Sequence, residues 1–150
     1  MVTTLRGTDP GSVSRLGGLL RSAAATLTGD LVDLPAATPL ARLVEATADQ
    51  LDAIGAALQL HAQELAEAAA ALSRLQERAA TVGLVVADWT VSEPFGVVPA
   101  DLAARRVAER PHLQAQADRL ASRLARARAQ LARQLTHARE QLAHASATAR

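Results

Sequence analysis

Apolar residues recur every seven positions along the middle of the chain, in two rows offset by three. Ten of these twelve positions are apolar, which is typical of the a and d seam of a coiled coil. Thr38 and Pro39 supply an N-cap and a first-turn proline, and Gly83 is suited to end a helix. The pattern therefore predicts a helix over about 39–82. The rows are Val44, Leu51, Leu58, Leu65, Leu72 and Ala79, and Thr47, Ile54, His61, Ala68, Leu75 and Val82.

Two further helices are predicted on either side. The first covers about 10–28, because Asp9 and Pro10 mark its start and Gly29 marks its end. The last covers about 101–148, and it either bends at Pro111 or starts afresh there. The apolar positions of the first are Val13, Leu16, Leu20, Ala24 and Leu27, and those of the last are Leu113, Ala117, Leu120, Leu124, Ala127, Leu131, Leu135, Ala138, Leu142 and Ala145.

The segment 84–98 separates the two long predicted helices and carries the only aromatic residues, Trp89 and Phe95. It is rich in β-branched residues and bounded by Gly83 and Pro94, which favours a short extended or β-hairpin flap. Two interpretations stay open for the aromatic side chains. They either pack over the end of a helical core or form a docking surface, as aromatic residues often do at interfaces.

These patterns predict an all-α fold, an elongated helical bundle whose two long helices pack antiparallel with the flap at one tip. Charge supports that pairing, because residues 40–80 hold three Arg and six acidic residues, whereas 101–150 hold ten Arg and four. We expect a single domain over 1–150 with an N-terminal tail over 1–9.

The apolar side chains of this chain are mostly small. The chain contains 36 Ala and 23 Leu among 150 residues, so its apolar content is spread over many small side chains. A buried leucine contributes roughly 1.5–3 kcal/mol and an alanine much less. Such helices must therefore approach closely or recruit a partner protein.

The sequence predicts neither an enzyme nor a cofactor or metal site. It has no cysteine, and Ser73 and Ser92 lack the glycines of a nucleophile elbow. His61 and Glu64 have helical i, i+3 spacing, but a metal centre in a bundle needs further inward carboxylates. We favour His61 as a polar residue that sets the register of the seam.

Arginines near one flank of the last helix raise the question of nucleic-acid binding. A positive stripe can bind phosphates, but the net charge is only +1 and no aromatic residues interleave for base stacking. A solvated face, or one paired with acidic residues of the middle helix, is the favoured interpretation. The flank comprises Arg119, Arg123, Arg126 and Arg133.

No signal peptide or membrane span is predicted, since the longest run without charge, 53–63, is too short. We therefore expect a cytoplasmic protein, unless it is exported by a leaderless route.

Three stretches, "RGTDPGSVSRLGGLLRSAA", "LDAIGAALQLHAQELAEAAAALSRLQERAATVGL" and "WTVSEPFG", resemble the WXG-type (ESX) helical proteins of actinobacterial type VII secretion and the related amino-terminal domains of polymorphic toxins. The resemblance implies a helical protein that binds other helical proteins and has no catalytic activity. The chain departs from that family in two features: Trp89 is followed by Thr90 and Val91 rather than by the family's Trp-x-Gly, and the tyrosine-based export signal is impossible without tyrosine.

The resulting hypothesis is a non-enzymatic interaction module, a WXG-like partner or substrate that binds a helical protein as a hetero- or homodimer. The alternative is a cytosolic coiled-coil scaffold that associates with itself, and an Arg-rich nucleic-acid binder is less favoured than either. The residues predicted to form the interaction surface are Trp89, Phe95, Val91, Leu51, Leu58, Leu65 and Leu72.

Overall fold

The computed structural model describes residues 9–30 and 38–148 and shows an all-α helical bundle with one small hairpin. Its helices are α1 (Pro10–Asp30), α2 (Pro39–Thr81) and α3 (Ala100–Thr148). Strands β1 (Val85–Ala87) and β2 (Thr90–Ser92) pair antiparallel within the predicted flap. The predicted fold class is confirmed, while residues 1–8 of the predicted tail lie outside the described residues.

Side-chain oxygens cap the starts of the first two helices, as the sequence predicts. Asp9 Oδ2 accepts hydrogen bonds from the backbone N–H of Ser12 at 2.9 Å and from its hydroxyl at 2.8 Å. These bonds favour the carboxylate and lower the pKa of Asp9 below its ordinary value. Thr38 Oγ1 accepts from the backbone N–H of Ala41 at 3.2 Å at the start of α2.

The end of α2 is a Schellman turn built on Gly83. The backbone N–H of Leu84 donates to the carbonyl of Ala79 at 2.8 Å, and that of Gly83 donates to Ala80 at 3.0 Å. Gly83 has φ +70°, the left-handed conformation that glycine adopts without strain. A Cβ there would also lie 2.5 Å from the guanidinium of Arg106, so a side chain at this position would have to displace that group.

The seam of α2 is turned inward along its whole length, because all twelve predicted positions are buried or half-buried. A third buried row lies beside the two predicted ones, again with residues seven apart: Ala41, Ala48, Gly55 and Ala62. Small residues give a weak hydrophobic signal, yet they are the ones that let another helix backbone approach closely.

The described residues form two compact units. The hairpin unit comprises 64–126, and the α1 unit comprises the described residues of 9–63 together with 127–148. Helices α2 and α3 contribute residues to both units, because the division falls within each of them.

In the hairpin unit, α2 and α3 run antiparallel and share a core with the hairpin. Glu67 of α2 contacts Arg123 of α3, whereas Arg78, further along α2, contacts the earlier Gln116. The core is built from large apolar side chains, and Leu113 is 1% exposed. Its buried members are Leu72, Leu75, Ala79, Leu84, Val86, Val91, Leu113 and Ala117.

In the α1 unit, α1 packs antiparallel on α2 through a contact between glycines. A Cβ on Gly17 would lie 2.7 Å from the carbonyl oxygen of Gly55, and the reverse distance is also 2.7 Å. Further along α1, the Nε of Arg21 donates to Asp52 at 2.9 Å. The two backbones are therefore close enough to exclude any side chain at the crossing.

Helix α3 is continuous through Pro111, so the predicted fresh start at that residue is wrong and the start near Asp101 is confirmed. Pro111 is exposed. Nine of the ten predicted apolar positions of α3 are buried or half-buried, and the exception is Leu135 at 38% exposure. On α1, Leu16 is likewise exposed at 50%, because Gly17 rather than Leu16 faces α2.

Candidate interaction surfaces

The loop of the hairpin places a tryptophan in an uncommon backbone conformation. Asp88 and Trp89 form a two-residue connection and have φ values of 48° and 65°. Two consecutive left-handed residues match the twist of a tight hairpin, but a bulky residue rarely occupies such a position. The Trp89 side chain is half-buried and packs against the core of the hairpin unit. Packing therefore accompanies the unfavourable backbone conformation.

Side chains of the two long helices hold the hairpin by its backbone. Gln114 of α3 accepts from the N–H of Val91 at 2.7 Å and donates to the carbonyl of Trp89 at 3.0 Å. On the other strand, Gln76 of α2 donates to the carbonyl of Val86 at 3.5 Å. Gln114 thus pairs with β2 much as a neighbouring strand would. Neither glutamine was predicted to have a role, because nothing in the local sequence pattern distinguishes them from solvent-exposed helical glutamines.

The segment between β2 and α3 presents two apolar side chains to solvent. Phe95 and Val97 are fully exposed, with relative exposures of 109% and 104%. The chain's two aromatic residues therefore differ: Trp89 packs on the core, as the first interpretation of the flap predicts, whereas Phe95 does not. Val97 was not among the predicted interaction residues, although it is an apolar residue in a segment of proline and glycine.

Four other predicted interaction residues lie inside the protein. Val91, Leu58, Leu65 and Leu72 are between 0% and 8% exposed, and Leu51 is half-buried. The prediction that these seam residues form a surface for a partner is wrong, because other parts of the chain already bury their side chains. In the hairpin unit the cover includes Leu113 and Ala117 of α3, which share the core with Leu72.

Few polar side chains are buried in the part of the chain that the structure describes. His61 is 6% exposed within the seam, the place that a register-setting residue would occupy. Across residues 9–30 and 38–148, no three or more His, Cys, Asp or Glu side chains are grouped so that they could hold a metal ion.

The arginines have varied surroundings. Arg123 pairs with Glu67 at 2.6 Å, as the opposite charges of the two long helices predict, and both side chains are more than half exposed. Such an exposed pair contributes only about 0–1 kcal/mol. Arg106 differs, since it is 5% exposed and donates from Nε to the carbonyl of Val82 at 3.3 Å, beside the Schellman turn. No sequence pattern distinguished Arg106 from its neighbours Arg105 and Arg110.

No family model matches the sequence, and no curated protein or solved structure matches it either. Among the helices that the structure describes, none has the length and apolar character needed to cross a membrane.

Proposed function

We propose that the chain is a non-enzymatic interaction module that binds another helical protein, as a WXG-like partner or substrate of type VII secretion. The observation that carries this proposal is the complete exposure of Phe95 and Val97 beside a well-anchored hairpin. Transferring a phenylalanine or valine side chain from water into an interface is favourable by roughly 1.5–3 kcal/mol. A partner gains that energy without unfolding any part of the hairpin unit.

The fold supports the same proposal. A bundle of long Ala- and Leu-rich helices is the architecture that the resemblance to WXG-type proteins implies. The binding surface differs from the sequence hypothesis, because the leucine seam is buried within the chain. We therefore assign the contact to Phe95 and Val97 rather than to Leu58, Leu65 and Leu72. The proposed location is the cytoplasm, and because the chain has no tyrosine, leaderless export by the type VII route would depend on a signal carried by its partner.

Co-expression with the helical products of neighbouring reading frames tests the proposal. We expect a stable heterodimer, measured by size-exclusion chromatography with light scattering. Phe95→Ala and Val97→Ala should each weaken it about tenfold, whereas the matched control Val107→Ala, at a residue 69% exposed on α3, should not. A chain that stays monomeric and captures none of these products contradicts the proposal. A homodimer in the absence of any partner supports the self-associating scaffold instead.

A further inference from the structure

A groove of about 350 Å³ in the hairpin unit combines an apolar floor with an arginine rim. The floor consists of the half-buried Ala71 and Leu120 together with the buried Leu75. The rim consists of Arg74, Arg78 and Arg119, all of which are exposed, together with Gln116. Among the described residues, no carboxylate lines this groove.

Of the acidic residues near the groove in sequence, Glu67 and Asp118 bond other side chains, and Glu77 lies exposed beside Arg78 on α2. Glu67, one to two turns before the groove on α2, pairs with Arg123 at 2.6 Å. Asp118, beside Arg119 on α3, accepts a hydrogen bond from Gln114 at 2.8 Å. By contrast, a groove beside α1 in the α1 unit is lined by Arg21 together with Asp49 and Asp52, so its carboxylates outnumber its arginine. Three arginines without a lining carboxylate thus distinguish the groove of the hairpin unit, whereas a further groove in the α1 unit has a single lining arginine, Arg42.

The groove lies on the face of the α2 and α3 layer away from the hairpin. Gln76 and Gln114 point toward the hairpin, because they bond its backbone. At about 100° per residue, each glutamine lies roughly 150° around its helix from the groove residues of that helix. The hairpin therefore covers one face of the two-helix layer, and the groove opens on the other, where a third helix would complete a bundle.

We propose that this groove binds an acidic amphipathic helix of the partner protein, an inference that rests on the proposed function. Apolar side chains of that helix contact the half-buried Ala71 and Leu120, above the buried Leu75, while its carboxylates pair with the arginines. Arg74 and Arg78 are four residues apart, about 6 Å along α2, which is also the rise between glutamates at i and i+4 of a helix. Guanidinium groups suit this role because they bind carboxylates in bidentate fashion.

A peptide is favoured over a nucleic acid as the occupant. Nucleic-acid grooves pair their arginines with aromatic platforms for the bases. The floor here is leucine and alanine, and neither aromatic residue lines the groove. Aliphatic floors with charged rims are typical of helix-in-groove recognition.

The test uses a fluorescein-labelled 18-residue helical peptide with leucines at every third or fourth position and two flanking pairs of glutamates at i and i+4. Fluorescence anisotropy measures its binding to the full chain. We expect Arg74→Gln and Arg119→Gln each to weaken binding about fivefold, and the double variant up to about twentyfold. The control Arg105→Gln removes the same charge from α3 about 21 Å from Arg119 and should leave binding unchanged. Circular dichroism checks that all variants keep the wild-type helicity.

A second peptide, with glutamine in place of every glutamate, isolates the charge. It should bind at least about fivefold more weakly, and only the glutamate peptide should lose affinity steeply with added salt. Equal binding of both peptides overturns the proposal. A single-stranded DNA oligonucleotide provides a second contradicting outcome. If its binding is weakened by the Arg74 and Arg119 substitutions while peptide binding is not, the groove recognises phosphates and the proposal is overturned.

If the wild-type chain forms its heterodimer and the double variant forms it equally well, the groove proposal fails while the proposed function stands. If no helical partner binds but the glutamate peptide does so through Arg74 and Arg119, the groove stands as a peptide site and the proposed function fails.

Discussion

The two units of this protein bury different kinds of residue. In the hairpin unit, eight leucine and valine side chains are fully buried, including Leu65 and Leu113 at 0% and 1% exposure. In the described part of the α1 unit, Leu58 is the one fully buried leucine or valine, and the rest of the fully buried set consists of alanine, glycine and His61. At roughly 1.5–3 kcal/mol for each large side chain, the hairpin unit has the larger share of hydrophobic stabilisation.

Close backbone approach takes the place of side-chain volume in the α1 unit. The contact between Gly17 and Gly55 leaves no room for even a methyl group, so the helices gain dispersion contacts between their backbones. One Ala- and Leu-rich chain thus uses two packing strategies. The difference predicts opposite responses to changes of side-chain size: the hairpin unit is sensitive to removal of methyl groups and the α1 unit to their addition.

Leu113→Ala should have the largest effect on stability. The side chain is 1% exposed in the core of the hairpin unit, so truncation leaves a cavity as well as losing buried apolar surface. We expect the free energy of unfolding to fall by about 2–5 kcal/mol, measured by urea denaturation followed by circular dichroism. Leu135→Ala, at the 38% exposed position of the same helix, should lose less than about 1 kcal/mol. Equal losses would contradict the assignment of the core.

Gln114→Ala should have the next largest effect. It removes the acceptor of the Val91 N–H and the donor to the Trp89 carbonyl. The N–H of Val91, a residue that is 1% exposed, would then lack its acceptor, which is unfavourable. We expect a loss of about 1–3 kcal/mol and a shift of Trp89 fluorescence to longer wavelength as the loop loosens. The exposed Gln130→Ala should change stability by less than about 0.5 kcal/mol. Unchanged Trp89 emission in Gln114→Ala would show that packing and the Gln76 bond hold the hairpin without Gln114.

The main elements of the fold follow from the sequence because they depend on local rules. Heptad spacing located α2, and Asp9, Thr38 and Gly83 marked helix ends through their own backbone bonding. The features that the sequence did not predict depend on contacts between distant residues. Gln114, Arg106 and the pair Gly17 and Gly55 have ordinary local surroundings and acquire their roles only when separate helices meet. The exposure of Phe95 and the burial of Val91 differ for the same reason, since neighbouring elements determine both.

Gly17→Ala tests the second half of the comparison. In an ordinary helix this substitution stabilises by about 0.5–1 kcal/mol. At Gly17 the new Cβ would lie 2.7 Å from a backbone carbonyl, so the helices must separate at a cost of about 1–3 kcal/mol. The clash outweighs the propensity gain, and we expect a net loss of about 0.5–2 kcal/mol in thermal or urea unfolding. Gly18→Ala is the matched control, because its nearest neighbour is 4.0 Å away, and it should stabilise. Stabilisation by both substitutions would rule out the close crossing.

The smallest effect concerns acid and the start of α1. Hydrogen bonds from Ser12 lower the pKa of Asp9 in the folded state, so the ionised carboxylate stabilises the helix start. That contribution is fully present above the ordinary pKa of an aspartate and is lost as the pH falls through the lower, folded value. We expect the NMR shift of the Ser12 amide to titrate in this acid range in the wild type. Asp9→Asn keeps a capping oxygen but has no carboxylate, so the same amide should lose this titration while α1 remains helical. An identical titration in the variant would assign the acid sensitivity to another group. The charge of Asp9 would then not contribute to the stability of the helix start.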